Sequence, residues 1–109
     1  MGISESLIGE IVQRIVSVTR PERIILFGSA STGEMTKDSD IDLLVLERDT
    51  HDNREERLRI RRALNDLGHS FDVIVMPTDR FEESKNVIGG IAYPAHKYGR
   101  VVYEIAGRG

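Results

Sequence analysis

Ser39-Asp40-Ile41-Asp42-Leu43-Leu44-Val45-Leu46 decides the reading of this chain, because two carboxylates enter an otherwise unbroken apolar run. Side chains alternate across a strand, so Asp40 and Asp42 share one face and Ile41 takes the other. At a rise of about 3.3 Å per residue, their Cβ atoms stand roughly 6.5–7 Å apart. Such a pair can lean toward one or two hard cations, which lie about 3.5–4 Å apart in two-metal sites. Left bare, the two charges repel and one holds its proton to raised pH. Asp38 and Ser39 are ordinary turn residues. Asp42 is not, since it sits inside the apolar register.

A second element lies upstream, with ten residues separating its Gly28-Ser29 from Asp40. Ile24-Ile25-Leu26-Phe27 is a short β-branched apolar run and reads as a buried strand. Gly28 follows, where the backbone can turn tightly and a phosphate can approach with no Cβ in its way. Ser29 offers a hydroxyl, and residues from about Ala30 to Met35 read as a short helix whose free N–H groups face the same phosphate. Gly33 weakens that helix and keeps it short. A phosphate cradle beside paired carboxylates implies a nucleotide and a divalent cation. Magnesium fits, because it takes a few carboxylates and completes its octahedron with water and substrate phosphates.

A third carboxylate lies downstream. Phe71-Asp72-Val73-Ile74-Val75-Met76 is another apolar strand, bounded by Gly68-His69-Ser70 and by Pro77, and Asp72 is its only charge. Aspartate is disfavoured in strands. Placed beside the Asp40–Asp42 strand, Asp72 would complete a three-carboxylate cluster suited to two-metal phosphoryl chemistry. One member would be close enough to accept a proton from an attacking hydroxyl.

With these residues assembled, the chain resembles the nucleotidyltransferase superfamily related to DNA polymerase β. The wording Leu26-Phe27-Gly28-Ser29 … Ser39-Asp40-Ile41-Asp42-Leu43-Leu44-Val45, with the later Asp72, is similar to its minimal nucleotidyltransferase branch. So is the ending Gly99-Arg100-Val101-Val102-Tyr103-Glu104. A lone Gly-Ser or Asp-x-Asp is weak, but the combined spacing is specific. One departure concerns triphosphate affinity: many relatives carry arginines after Gly-Ser, where this chain has Ala30, Ser31 and Thr32. The resemblance implies a polymerase β-like palm, with Gly28, Ser29 and Ser39 on the nucleotide. It assigns Asp40, Asp42 and Asp72 to two magnesium ions and to catalysis, with ATP as substrate. It also implies a HEPN-domain toxin as partner, because minimal nucleotidyltransferases are typically its antitoxins. The specific expectation is AMP transfer to a partner tyrosine, and a homo- or hetero-oligomer is compatible with it. The alternative is a non-catalytic module that neutralises a partner ribonuclease by masking it.

Bulk properties bound the rest. At 109 residues the chain is expected to be a single domain over 1–109. The larger relatives' acceptor-binding domain has no room here, so the acceptor is expected to come from another polypeptide or to dock on an oligomer. Net charge is −3 and the pI about 5.6, which argues against a broad grip on nucleic acid. The absence of cysteine excludes a disulfide framework and any thiolate zinc site, and is compatible with a cytoplasmic location. No signal-like or membrane-length apolar stretch is present.

From end to end the pattern predicts a mixed α/β sheet flanked by helices. Leu7, Ile8, Ile11, Val12, Ile15 and Val16 recur at helical spacing before Pro21. Residues from about Arg54 to Leu67 form a second helix, with Leu58, Ile60, Leu64 and Leu67 available for a core face and Gly68 as its stop. Thr78 is a candidate N-cap for a third. Gly89-Gly90 breaks the pattern, a short helix runs to Tyr98, and Val101-Val102-Tyr103 reads as an edge strand. Arg54, Arg57, Arg59, Arg61 and Arg62 make a basic face that Glu55, Glu56 and Asp66 are positioned to pair in part. Tyr93, Tyr98 and Tyr103 read as packing residues, and His51 and His69 as loop residues without a signal. His96-Lys97-Tyr98 is similar to part of the HEPN ribonuclease motif, but the arginine that motif needs is replaced by Ile91.

Overall fold

The computed structural model describes residues 3–28, 40–48 and 53–105. The short helix expected from about Ala30 to Met35 lies outside those residues.

The first element, α1 (Glu5–Val18), begins where the Ser4 side chain accepts a hydrogen bond from the Leu7 N–H at 3.1 Å. That contact satisfies one of the donors a helix start leaves without a partner. Ile8, Ile11 and Ile15 form its buried stripe. Val16, part of the same apolar periodicity, falls just off the stripe and stays exposed.

Four strands follow: β1 (Arg23–Phe27), β2 (Ile41–Glu47), β3 (Phe71–Pro77) and β4 (Arg100–Glu104). They make one sheet in the order β3-β2-β1-β4. β1 pairs antiparallel with both β2 and β4, whereas β2 and β3 run parallel. A parallel pair needs a long crossover. Here α2 (Asn53–Leu64) and a 3-10 turn (Asn65–Leu67) supply it, and Gly68 closes them in the left-handed region at φ 79°.

Both faces of the sheet are covered, so β2 reads as a continuous apolar run. Ile41, Leu43 and Val45 pack with Val73 and Val75 against α1 and α2, where Ile60 and Leu64 complete that core. Leu44 and Leu46 face the other way, with Ile25, Phe27, Phe81, Ala92 and Ala95. The last three come from α3 (Thr78–Ser84) and α4 (Ala92–Tyr98). This is the mixed α/β arrangement that the sequence pattern implies.

Four local expectations change. Leu58 is turned outward, because Ile60 and Leu64 already fill the stripe that meets the sheet. Thr78 does not cap α3: β3 runs through Pro77 directly into the helix, so Thr78 is already helical, and its buried Oγ1 has no hydrogen-bond partner. Asp66 does not pair within its own helix but engages Arg14 of α1, whose guanidinium also donates to the Ala63 carbonyl at 3.1 Å. Tyr98 is 57% exposed, while Tyr103 packs at the margin of the first core.

Candidate active site

The site is built by register. Asp42 is the cross-strand partner of Phe27 in β1 and of Asp72 in β3. Neighbouring strands lie about 4.8 Å apart, so the parallel pairing stands two carboxylates side by side. Asp42 shares its strand face with Leu44 and Leu46, and Asp72 with Ile74 and Met76. Both aspartates therefore rise from the sheet face that carries α3 and α4. Those helices cover the C-terminal half of β2, and the carboxylates occupy its N-terminal half. Asp42 is half-buried; Asp40, one step before the strand, and Asp72 are exposed.

Gly28 ends β1 against this pair. Its φ is 69°, and a Cβ there would collide with Asp42 Oδ2 and come within 3.2 Å of Asp42 Cγ. The position needs glycine twice over, for its left-handed backbone and for the close approach of the carboxylate. Ser29 and Ser39, expected on the nucleotide, lie outside the described residues.

The electrostatics follow from the geometry. Burial pushes the Asp42 carboxyl above the ordinary aspartate range, and the negative charges of Asp72 and Asp40 push it further. Both aspartates named in the sequence thus act on Asp42 through space. Among the described residues, no three acidic or imidazole side chains converge tightly enough to hold one metal ion. The three aspartates are neighbours rather than a closed cage. Their chemistry still fits a hard divalent cation, since oxygen donors are what magnesium takes. A cation between them would relieve the cost that burial and like charge impose on Asp42.

The sequence from residue 6 to residue 96 matches the family model described as a nucleotidyltransferase domain. The chain belongs to that family. Among solved structures, this nucleotidyltransferase domain is similar to a toxin–antitoxin crystal structure with AMP-PNP. The two share 23% identity and a TM-score of 0.70, over 91% of this chain and 74% of the other. It is also similar to the mutant toxin–antitoxin pair MntA–HpeT, with 21% identity, a TM-score of 0.66, and 91% and 74% coverage. A third similar structure contains the tri-AMPylated HEPN toxin of Shewanella oneidensis in complex with MNT antitoxin. Identity there is 21% and the TM-score 0.61, over 94% of this chain and 74% of the other. At these identities the likeness establishes the fold. No curated protein sequence matches the chain.

Two features of the domain escaped the sequence. Glu47, at the far end of β2, is 6% exposed, and its Oε2 has no hydrogen-bond partner. Burial, with Glu56 beside it, raises its carboxyl to about 7, although Arg59 opposes the shift. A terminal glutamate of an apolar strand gives no hint of this, because Glu56 arrives from α2. The second feature is His69, set aside as a loop residue, which lines a recess next to Asp40.

Proposed function

We propose that this nucleotidyltransferase domain moves AMP from ATP onto a hydroxyl of a partner protein, and that the partner is a HEPN-type toxin it acts on as antitoxin in the cytoplasm. The β2–β3 register carries the reading, because it stands Asp42 beside Asp72 with Gly28 closing the neighbouring strand. Family membership supports group transfer. The nucleotide analogue in one similar structure and the AMPylated toxin in another support the donor and the acceptor.

In this reading Asp40 and Asp42 hold magnesium, and Asp72 completes the second of two sites. When bound, the ions supply neutralisation of the phosphates and of the attacking and leaving oxygens. Gly28 lets the Asp42 carboxylate lie against the end of β1, and the Ser29 and Ser39 hydroxyls donate to the phosphates. Asp72 accepts the proton of the acceptor hydroxyl. That oxygen bonds to the α-phosphorus as the bond to the bridging oxygen breaks, and pyrophosphate leaves with the electron pair. Positioning supplies most of the rate. The exposure of Asp72 on an edge strand suits it to an acceptor arriving from outside the domain.

The test is the intact mass of a HEPN-type partner incubated with ATP, magnesium and either wild-type protein or Asp40→Asn. A gain of one or more AMP units with wild type alone supports the enzyme. A second reading, masking without chemistry, is favoured by the open spacing of the described carboxylates. It predicts equal inhibition of the ribonuclease by both proteins with no mass change.

A further inference from the structure

Beyond the carboxylates, the end of the sheet opens into a recess of about 380 Å³ lined by Asp40, Arg61, Asn65, His69, Ser70 and Phe71. Its wall is fastened to the site, since the Ile41 N–H, between Asp40 and Asp42, donates to the Ser70 carbonyl at 2.8 Å. The His69 ring is set edge-on to Phe71, their centroids 6.3 Å apart. Arg61 makes no ion pair or hydrogen bond among the described residues, whereas nearby Arg59 and Arg14 are engaged by Glu56 and Asp66. The recess therefore presents one uncommitted guanidinium with amide, imidazole and hydroxyl groups around it, beside an aspartate of the candidate site.

Its location separates it from the phosphate side. Gly28 reaches Asp42 from β1, on one flank of β2, while Ser70 and Phe71 lead into β3, on the other. β3 is an edge strand, so this flank is open to a second polypeptide. A guanidinium in such a place pairs a carboxylate through two parallel N–H···O bonds. We infer that the Arg61 recess selects the acceptor by binding an acidic side chain that flanks the hydroxyl to be modified. The inference rests on the transfer reading above for its orientation. Arg61 is then a specificity residue, and Asn65 and His69 are its accessory donors.

The test uses two synthetic probes, Glu-Glu-Tyr-Glu-Glu and Lys-Lys-Tyr-Lys-Lys, titrated into the full chain with magnesium and AMP-PNP and followed by amide NMR. The expected result is binding of the acidic peptide at least about tenfold tighter than the basic one. Its shifts should centre on Asn65, His69 and Ser70, and the preference should reverse in Arg61→Glu. Shifts centred on Arg57 and Arg62 would show a diffuse basic helix face and overturn the proposal. So would acidic-peptide binding that is seen only when AMP-PNP is left out, which would give the recess to the nucleotide. Replacing AMP-PNP by ATP separates the two readings. Peptide bound at Arg61 without AMP transfer would retain the recess as an acidic-segment site and count against the transferase.

Discussion

Asp42 and Asp72 are register partners on adjacent parallel strands, and the burial of the first beside the charge of the second raises the Asp42 carboxyl. A raised acid pKa means that folding favours the protonated form. The stability it contributes is complete below the unfolded pKa and is lost as pH rises through the folded one. Where no cation is bound, the ionised form of Asp42 is therefore a cost to the fold.

Asp42→Asn should leave thermal stability in EDTA unchanged or higher than wild type, and should abolish the rise in melting temperature that magnesium gives the wild-type protein. Nucleotide transfer should fall by at least about a hundredfold, the scale of losing a principal electrostatic contact at a reacting centre. Differential scanning fluorimetry with and without magnesium, beside a transfer assay, checks both halves. A large stability loss in EDTA would instead mark Asp42 as a structural residue.

Gly28→Ala places a Cβ against Asp42 Oδ2 at a residue whose φ is 69°. The expected cost is about 1–3 kcal/mol, the usual range for a side chain forced into a sparsely allowed conformation with a contact to relieve. In an Asp42→Ala background the clash disappears and only the backbone strain remains, so the cost should shrink. A urea-denaturation double-mutant cycle measures the difference.

Asp72 and Ser29 should separate kinetically. Asp72→Asn is expected to lower turnover far more than nucleotide affinity, because its role lies in the chemical step. Ser29→Ala should weaken triphosphate binding by about 1.5–3 kcal/mol, the value of a hydrogen bond to a charged group. Calorimetric titration of nucleotide alongside single-turnover rates tests the division, and equal effects of both changes on affinity alone would refute it.

Glu47 gives a pH dependence away from the candidate site. Its carboxyl is raised to about 7 by burial and by Glu56. Stability should accordingly decline as pH rises from the ordinary glutamate range through about 7. Glu47→Gln should flatten that decline and exceed wild type at pH ~8, each unit of differential titration being worth about 1.4 kcal/mol. Urea midpoints measured across that range would show it. Magnesium should leave the slope unchanged, since Glu47 and the aspartates occupy opposite ends of β2.

What the sequence exposed is what periodicity and local chemistry encode. The isoleucines of α1 recur at helical spacing, β2 is apolar on both faces because both are covered, and Asp42 and Asp72 stand out as charges inside buried strands. These are properties of neighbours along the chain, and they needed no fold to be seen. The Gly28–Ser29 to Asp40–Asp42 spacing was legible for the same reason.

Whatever depends on long-range register was not legible. Strand alternation puts Asp40 and Asp42 on one face, but only the parallel pairing of β2 with β3 sets Asp42 opposite Asp72. Glycine at position 28 hints at a turn, and only β1–β2 register shows a carboxylate occupying the space of its missing side chain. The titration of Glu47 depends on Glu56 arriving from α2, and the recess on Arg61 and His69 meeting beside Asp40 from elements 8 residues apart in sequence. Thus the sequence by itself determined the elements and the candidate aspartates, because hydrophobic pattern and unexpected charge act locally. The tertiary structure alone decided which of those groups share a dielectric and a field, because burial and Coulomb interaction depend on distance through space.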